Sequence, residues 1–237
     1  MRRLICLLAA LTAGPAFAQK TPDPKAEAPV VAPLKGESKT VELFDGKTLA
    51  GWEGYADLWS VKDGVIVAKN TNPLKFSTYL LTKEKYTDFR LTFGAKLVES
   101  EMHSGVAFWG KVKPDVSKNP DADRTAHTYA GHLVMFPSGY GMYDLFGRNS
   151  LPVDGKPAVK VGKQHDWNEV EILAQGNRVR VAVNGVAVVD YRDPKPETIN
   201  AAPIGLQLHS NSVPQEVQFK GLTLETFPKA DKLLTVK

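Results

Sequence analysis

Three histidines, His103, His132 and His209, have side chains that titrate near neutrality and can serve as base, donor or ligand. Around them stand Asp144, Arg148, Tyr140, Tyr143, Gln207 and Trp109, the groups that general acid–base work or the binding of a polar ligand would draw on. The stretch Tyr140-Gly141-Met142-Tyr143-Asp144-Leu145-Phe146-Gly147-Arg148 is dense in aromatics and charge. Asp144 and Arg148 share a parity. They read either as a surface ion pair or, more sharply, as a general base beside a cation. His132 shares parity with Val134 and Phe136, the pattern of a hydrogen-bonded core histidine. No cofactor is expected; a divalent metal held by the three histidines is the alternative, which would need strands far apart in sequence to converge.

The elements that must position these groups follow a period of two. In Ile204-Gly205-Leu206-Gln207-Leu208-His209, the apolar Ile204, Leu206 and Leu208 share one face while Gly205, Gln207 and His209 share the other. In His103-Ser104-Gly105-Val106-Ala107-Phe108-Trp109, Val106 and Phe108 face one way and His103, Gly105, Ala107 and Trp109 the other. Small residues beside a large aromatic and a histidine suit a surface that leaves room for a ligand. The same strand could instead be packed on both sides, with Gly105 marking a bulge. Asp63-Gly64 and Asn184-Gly185 are hairpin turns, and Gly176-Asn177 is a further turn. No segment holds a 3.6-residue apolar stripe long enough for a helix. The expectation is an all-β, two-sheet antiparallel sandwich from about Thr40 to Phe227 with its first and last strands adjacent.

The chain has 237 residues, 43% hydrophobic and 24% charged, with a formal charge of +4. Without Arg2 and Arg3, 28 basic residues stand against 26 acidic, too small an excess and too scattered to mark a nucleic-acid surface. Arg2-Arg3, the apolar Leu4 to Ala13 and Ala16-Phe17-Ala18 read as a signal peptide over 1–18, predicting a secreted or periplasmic protein. Ten apolar residues are too few to insert in a membrane. Cys6, the single cysteine, lies in that segment, so disulfides and thiol chemistry are excluded from the remainder. Residues 19–38, with Pro22, Pro24, Pro29 and Pro33, read as a disordered linker ahead of a domain over 39–230.

Leu43-Phe44-Asp45-Gly46-Lys47-Thr48-Leu49 with Gly51-Trp52 resembles the opening of the 3-keto-disaccharide hydrolase domain family. Trp59 to Ile66, Leu81 to Phe89 and the Ser104-Gly105-Val106 step resemble it too. So do Tyr143, Trp167-Asn168-x-Val170, the Asn184-Gly185 hairpin and Ile204 to His209. These matches run in order from about Val41 to Glu225. The resemblance implies a concanavalin A-like jelly roll of the lectin and glucanase type, with the sugar site on its concave sheet. It implies a carbohydrate substrate whose C3 ketone acidifies the C2 proton, so that a base removes it and the glycosidic oxygen leaves before water adds back. On that scheme His209, His103 and Asp144 are the catalytic candidates. Trp109, Gln207, Arg148, Tyr143 and Tyr140 are the substrate-binding ones, Trp109 stacking on a sugar ring.

The chain also departs from the family. Gly94-Ala95 stand where the family usually has a carboxylate. Leu133 and Met135 occupy the Glu and Gln of its Gly-x-Glu-x-Gln strand, and His103 replaces its Asn before Ser-Gly. A carbohydrate-binding module without catalysis, on the same fold, is therefore the alternative expectation.

Overall fold

The computed structural model describes residues 28–99, 103–112, 125–136, 142–147, 149–151 and 161–237. Among them the chain forms antiparallel strands, one 3-10 turn at Pro196–Thr198 and no α-helix. One sheet has eight strands. It contains β1 (Lys39–Glu42), β3 (Trp59–Lys62), β4 (Val65–Asn70), β6 (Phe89–Glu99), β11 (Asn168–Gln175), β12 (Arg178–Val183), β13 (Val186–Arg192) and β15 (Gln215–Thr226). The other has seven: β2 (Trp52–Glu53), β5 (Thr78–Thr82), β7 (Ser104–Val112), β8 (Tyr129–Phe136), β9 (Met142–Asp144), β10 (Asn149–Leu151) and β14 (Gly205–Leu208). The first and last strands pair as expected, Lys39 opposite Thr226.

Turn chemistry closes the hairpins. Asp63 and Gly64 between β3 and β4 have φ of 50° and 76°, and Asn184 and Gly185 between β12 and β13 have 50° and 82°. These are left-handed conformations that Asp, Asn and Gly tolerate best. Alternation then fills the space between the sheets. Leu91, Phe93, Ala95 and Leu97 of β6 meet Val106 and Phe108 of β7, Val134 and Phe136 of β8, and Leu206 and Leu208 of β14 in one core. Phe93 packs edge-to-face on Phe136 at 5.7 Å, joining the two layers.

Both ends of the described chain are fastened to the eight-stranded sheet. The part of the expected linker that the structure describes is extended without regular structure, but it is not free. Val31 N–H donates to Asn177 Oδ1 (3.1 Å), and Asn177 Nδ2 donates to Pro29 O (2.7 Å). Leu34 N–H donates to Asp88, and Ser38 Oγ donates to Glu225 (2.8 Å). Backbone groups of Pro29, Val31 and Leu34 make three of these bonds and the Ser38 hydroxyl the fourth, so docking does not depend on the apolar surface the segment lacks. At the other end, Glu171 accepts from the N–H groups of Leu234 and Thr235 and from the Thr235 hydroxyl.

Candidate functional site

The face of the seven-stranded sheet turned away from the core carries the residues of interest. Register places Tyr143 opposite Leu133, Leu133 opposite Ala107, Ala107 opposite Gly205, Gly205 opposite Leu81 and Leu81 opposite Glu53. One pleat along, Gln207 lies opposite Tyr79 and Gly105 opposite Met135. Beyond Gln207 and Gly105 the alternation brings His209 and His103 onto the same face, where their rings meet edge to face with centroids 4.4 Å apart. Ser104 Oγ donates to Gln207 O at 2.7 Å and ties the two strands together beside them.

His209 is held from three sides. Its Nδ1–H donates to Ser210 O, its carbonyl accepts from Gln215 Nε2, and Ser210 N–H donates to Ser77 Oγ (3.0 Å). The Ser210 bond assigns the tautomer and leaves the Nε2 lone pair as an acceptor. Burial, and after it the neighbouring His209, push His103 down to about 4. Burial lowers His209 as well, against the opposing pull of the Ser210 carbonyl. Both rings are therefore neutral at pH 7, and the pair carries the Nε2 lone pair of His209 together with one N–H and one lone pair on His103. Next to them Gln207 Nε2 donates to the Tyr79 hydroxyl (3.1 Å), while the buried Gln207 Oε1 has no partner. Burial raises the Tyr79 phenol far above its usual range, so it stays protonated.

The small residues do not leave the room their size suggests. A Cβ on Gly105 would lie 2.6 Å from Leu133 Cδ1, and one on Gly205 would lie 3.1 Å from Leu81 Cδ2 and 3.2 Å from Tyr79 Cδ1. Neighbouring side chains fold over both glycines. Leu133 and Met135, which stand in the Glu and Gln positions of the resemblance, form a buried cluster here with Tyr79, Leu81, Ala107 and Tyr129. Gly94 and Ala95, the other departure, lie on β6 in the opposite sheet, Ala95 in the core and Gly94 under Lys220 and Trp167.

Trp109 corrects the expectation of a sugar platform. It is fully buried in the inter-sheet core, its indole N–H donating to Thr87 O. The register shifts between Phe108 and Lys111, and Trp109 takes φ of 53° there. That bulge turns the side chain from the outer face to the inner one, against the strict alternation. Asp144 is also off the face. It pairs with His132 across the strands, and its carboxylate accepts from Phe146 N–H at 2.8 Å, capping the turn that follows. Tyr143 stands on the expected face and is exposed. Tyr140 and Arg148 lie outside the described residues. His132 is the core histidine its parity announced, with Nε2 2.5 Å from Asp193 Oδ2 and its ring stacked at 6.0 Å on Phe108.

Sequence reasoning missed a second polar group on the same face. Glu53 sits at the sheet edge on β2, and its charge acts on His127, whose burial lowers its pKa against that influence. His127 packs edge-on to Tyr55 at 4.7 Å, and its carbonyl accepts from Tyr79 N–H (3.0 Å). The alternation of Trp52-Glu53 was the available signal for Glu53; nothing local marks His127. Among the described residues no group of three or more His, Cys, Asp or Glu side chains is gathered to hold a metal ion.

A family model described as the 3-keto-alpha-glucoside-1,2-lyase-like domain matches residues 39–225. An inferred glycosyl hydrolase from Parabacteroides distasonis has a similar structure, with a TM-score of 0.54 and 20% identity over 79% of this chain and 99% of that one. Carbohydrate-binding module CBM66 from Bacillus subtilis superposes with a TM-score of 0.53 and 12% identity over 74% and 96%. The beta-glucanase of Bacillus licheniformis gives 0.54 and 12% over 81% and 99%. These likenesses establish the jelly-roll fold shared by glucanase-type and sugar-binding proteins. No curated protein matches the chain in sequence.

Proposed function

The chain belongs to the 3-keto-alpha-glucoside-1,2-lyase-like domain family, and from that premise we propose that it is an exported protein that cleaves keto-modified glycosides at the His103–His209 pair. The observation that carries the reading is the contact of two half-buried imidazoles on one sheet face, one with its Nδ1–H engaged by Ser210 O so that its Nε2 carries the lone pair. A C3 ketone makes the C2 proton acidic enough for such a base. His209 Nε2 takes that proton, and the C2–H electron pair passes into the enolate. The enolate then expels the C1 oxygen, breaking the glycosidic bond and leaving an enone, and the departing oxygen takes a proton. Water added across the enone completes net hydrolysis. His103 supplies the N–H that the enolate oxygen needs. The buried setting disfavours an imidazolium next to another imidazole, so the proton is readily passed on to the leaving oxygen. The reading includes export, carried by residues 1–18, and requires no cofactor.

A second reading, sugar binding without turnover, is favoured by one observation. Leu133 and Met135 fill the middle of the face with apolar, buried side chains where the family resemblance places Glu and Gln. One experiment separates the two. The full chain is incubated with a model 3-keto-disaccharide in deuterated water, and both product release and deuterium at C2 are followed. Release with deuterium incorporation supports proton abstraction, and His209→Ala should abolish both. Retention of the sugar with neither signal supports the binding module.

A further inference from the structure

His209 and Ser210 fall between two stretches of regular pairing. β14 ends at Leu208, opposite Thr78 of β5, and the next backbone pair joins Asn211 to Leu74 (2.8 and 2.9 Å). The peptide group that links His209 to Ser210 lies outside any strand, so its two polar ends need partners other than a ladder. Two side chains supply them. Gln215 Nε2 donates to His209 O, and Ser77 Oγ accepts from Ser210 N–H at 3.0 Å. These are the C=O and the N–H of one planar unit, which point in opposite directions, so the plane is clamped from both sides. Its orientation sets ψ of His209 and φ of Ser210, the rotations that carry Ser210 O to His209 Nδ1.

Gln215 is built for this contact more than for packing. It is fully buried at the start of β15, opposite Asn70 of β4, so its bond to His209 O crosses from the eight-stranded sheet to the seven-stranded one. Its Oε1 has no partner. Reversing the amide would set that oxygen against the His209 carbonyl, so the carbonyl fixes which way round the amide sits. An apolar side chain of the same length would fill the space without leaving a buried acceptor unpaired.

We propose that Gln215 and Ser77 are positioning residues that set the tautomer of His209, a role that rests on His209 being the base of the reaction above. With the peptide clamped, Ser210 O holds the proton on Nδ1, and Nε2 keeps the lone pair that takes the C2 proton. Without the clamp the peptide turns, Ser210 O leaves Nδ1, and the neutral ring divides between its two tautomers. Only the Nδ1–H form is a base at Nε2, so turnover falls with its population.

The test labels the histidine rings of the full chain with ¹⁵N and reads both nitrogens of His209 at pH 7, where the ring is neutral. In the parent, Nε2 should give the shift of an unprotonated nitrogen. In Gln215→Met, which keeps the length and loses the donor, and in Ser77→Ala, which loses the acceptor, that shift should move toward the protonated value. Ser77→Thr keeps the hydroxyl and should keep the parent shift. On a model 3-keto-disaccharide, kcat per folded molecule should fall about two- to tenfold in the first two variants, by the fraction of the Nδ1–H form lost, with KM unchanged. Parental shifts in both variants overturn the inference, and so does a loss of kcat without a change of tautomer. If Gln215→Met does not fold, Ser77→Ala and Ser77→Thr decide alone. Shifts that move while turnover stays parental, or in a parent that does not turn over the sugar, uphold the clamp and remove His209 as the base.

Discussion

His103 and His209 meet edge to face at 4.4 Å, although 106 positions separate them in sequence. Each lies two residues beyond a ladder position of its strand, Gly105 opposite Met135 on β7 and Gln207 opposite Tyr79 on β14. The contact is thus set by strand register, and it makes the pair sensitive to acid.

Burial holds both folded pKa values below that of an exposed histidine, His103 at about 4. The unfolded chain therefore binds more protons than the folded one once the pH drops below ~6.5. Stability should be level above that value, decline as the pH falls from about 6.5 toward 4, and level off for this pair below it. Turnover, which needs the His209 lone pair, should be flat above the depressed His209 value and fall below it. A pH series of unfolding midpoints and initial rates checks both. In His103→Ala the acid-side loss of stability should shrink, since the more deeply shifted ring is gone.

Trp109 gives the opposite result to a ligand platform. Trp109→Ala should destabilise the fold by about 3–5 kcal/mol, the range for a large aromatic removed from a packed core. Sugar retention per folded molecule should be unchanged. Denaturant unfolding beside a retention assay measures the two separately, and weakened retention in a variant of parental stability would restore the indole to the sugar site.

The contrast between Trp109 and His209 shows what the sequence makes legible. Alternation and the turns Asp63-Gly64 and Asn184-Gly185 are local, so the two-sheet sandwich and the parity of β14 could be read directly. Trp109 could not, because a single bulge after Phe108 inverts parity and its signature is a long-range register shift. Asp144 was misplaced for a related reason: its face depends on pairing with His132, which parity within one strand does not reveal. His127 enters the site through a backbone bond to Tyr79 and a ring contact with Tyr55, neither of which leaves a pattern. Pro29 to Ser38 carry no apolar stripe, yet they are fastened through Asn177 and Asp88.

The C-terminal segment should be released by one charge change. Burial raises the Glu171 carboxyl, but the Leu234 and Thr235 N–H groups, the Thr235 hydroxyl and Arg90 outweigh it and leave it below its ordinary value. Its contribution is therefore present at neutral pH and is lost as the pH falls through that lowered value. Glu171→Gln should cost stability toward the low end of the ~3–5 kcal/mol typical of a broken buried pair, because Arg90 keeps Glu225 at 3.2 Å. Tryptic cleavage after Lys229 and Lys232 should accelerate in this variant at pH 7. Unchanged cleavage would mean that other contacts hold the segment.

The two glycines of the outer face give the sharpest test of how that face is packed. Gly105 and Gly205 look equivalent in sequence, each alternating with aliphatic residues, and both could equally be openings for a ligand. Their surroundings differ. A methyl on Gly105 would press on Leu133 and also on Val134 O, both at 2.6 Å, and a backbone oxygen cannot turn aside. On Gly205 the nearest atoms are side-chain carbons of Leu81 and Tyr79 at 3.1 and 3.2 Å, which need give only a few tenths of an ångström. Gly105→Ala should therefore destabilise by about 1–3 kcal/mol, as overpacking of a closed site does, and Gly205→Ala by clearly less. Leu133→Ala should relieve only part of the Gly105→Ala cost, because the Val134 carbonyl stays. If Gly105→Ala were neutral in unfolding but weakened sugar binding, the space above Gly105 would be open to ligand instead of filled by Leu133.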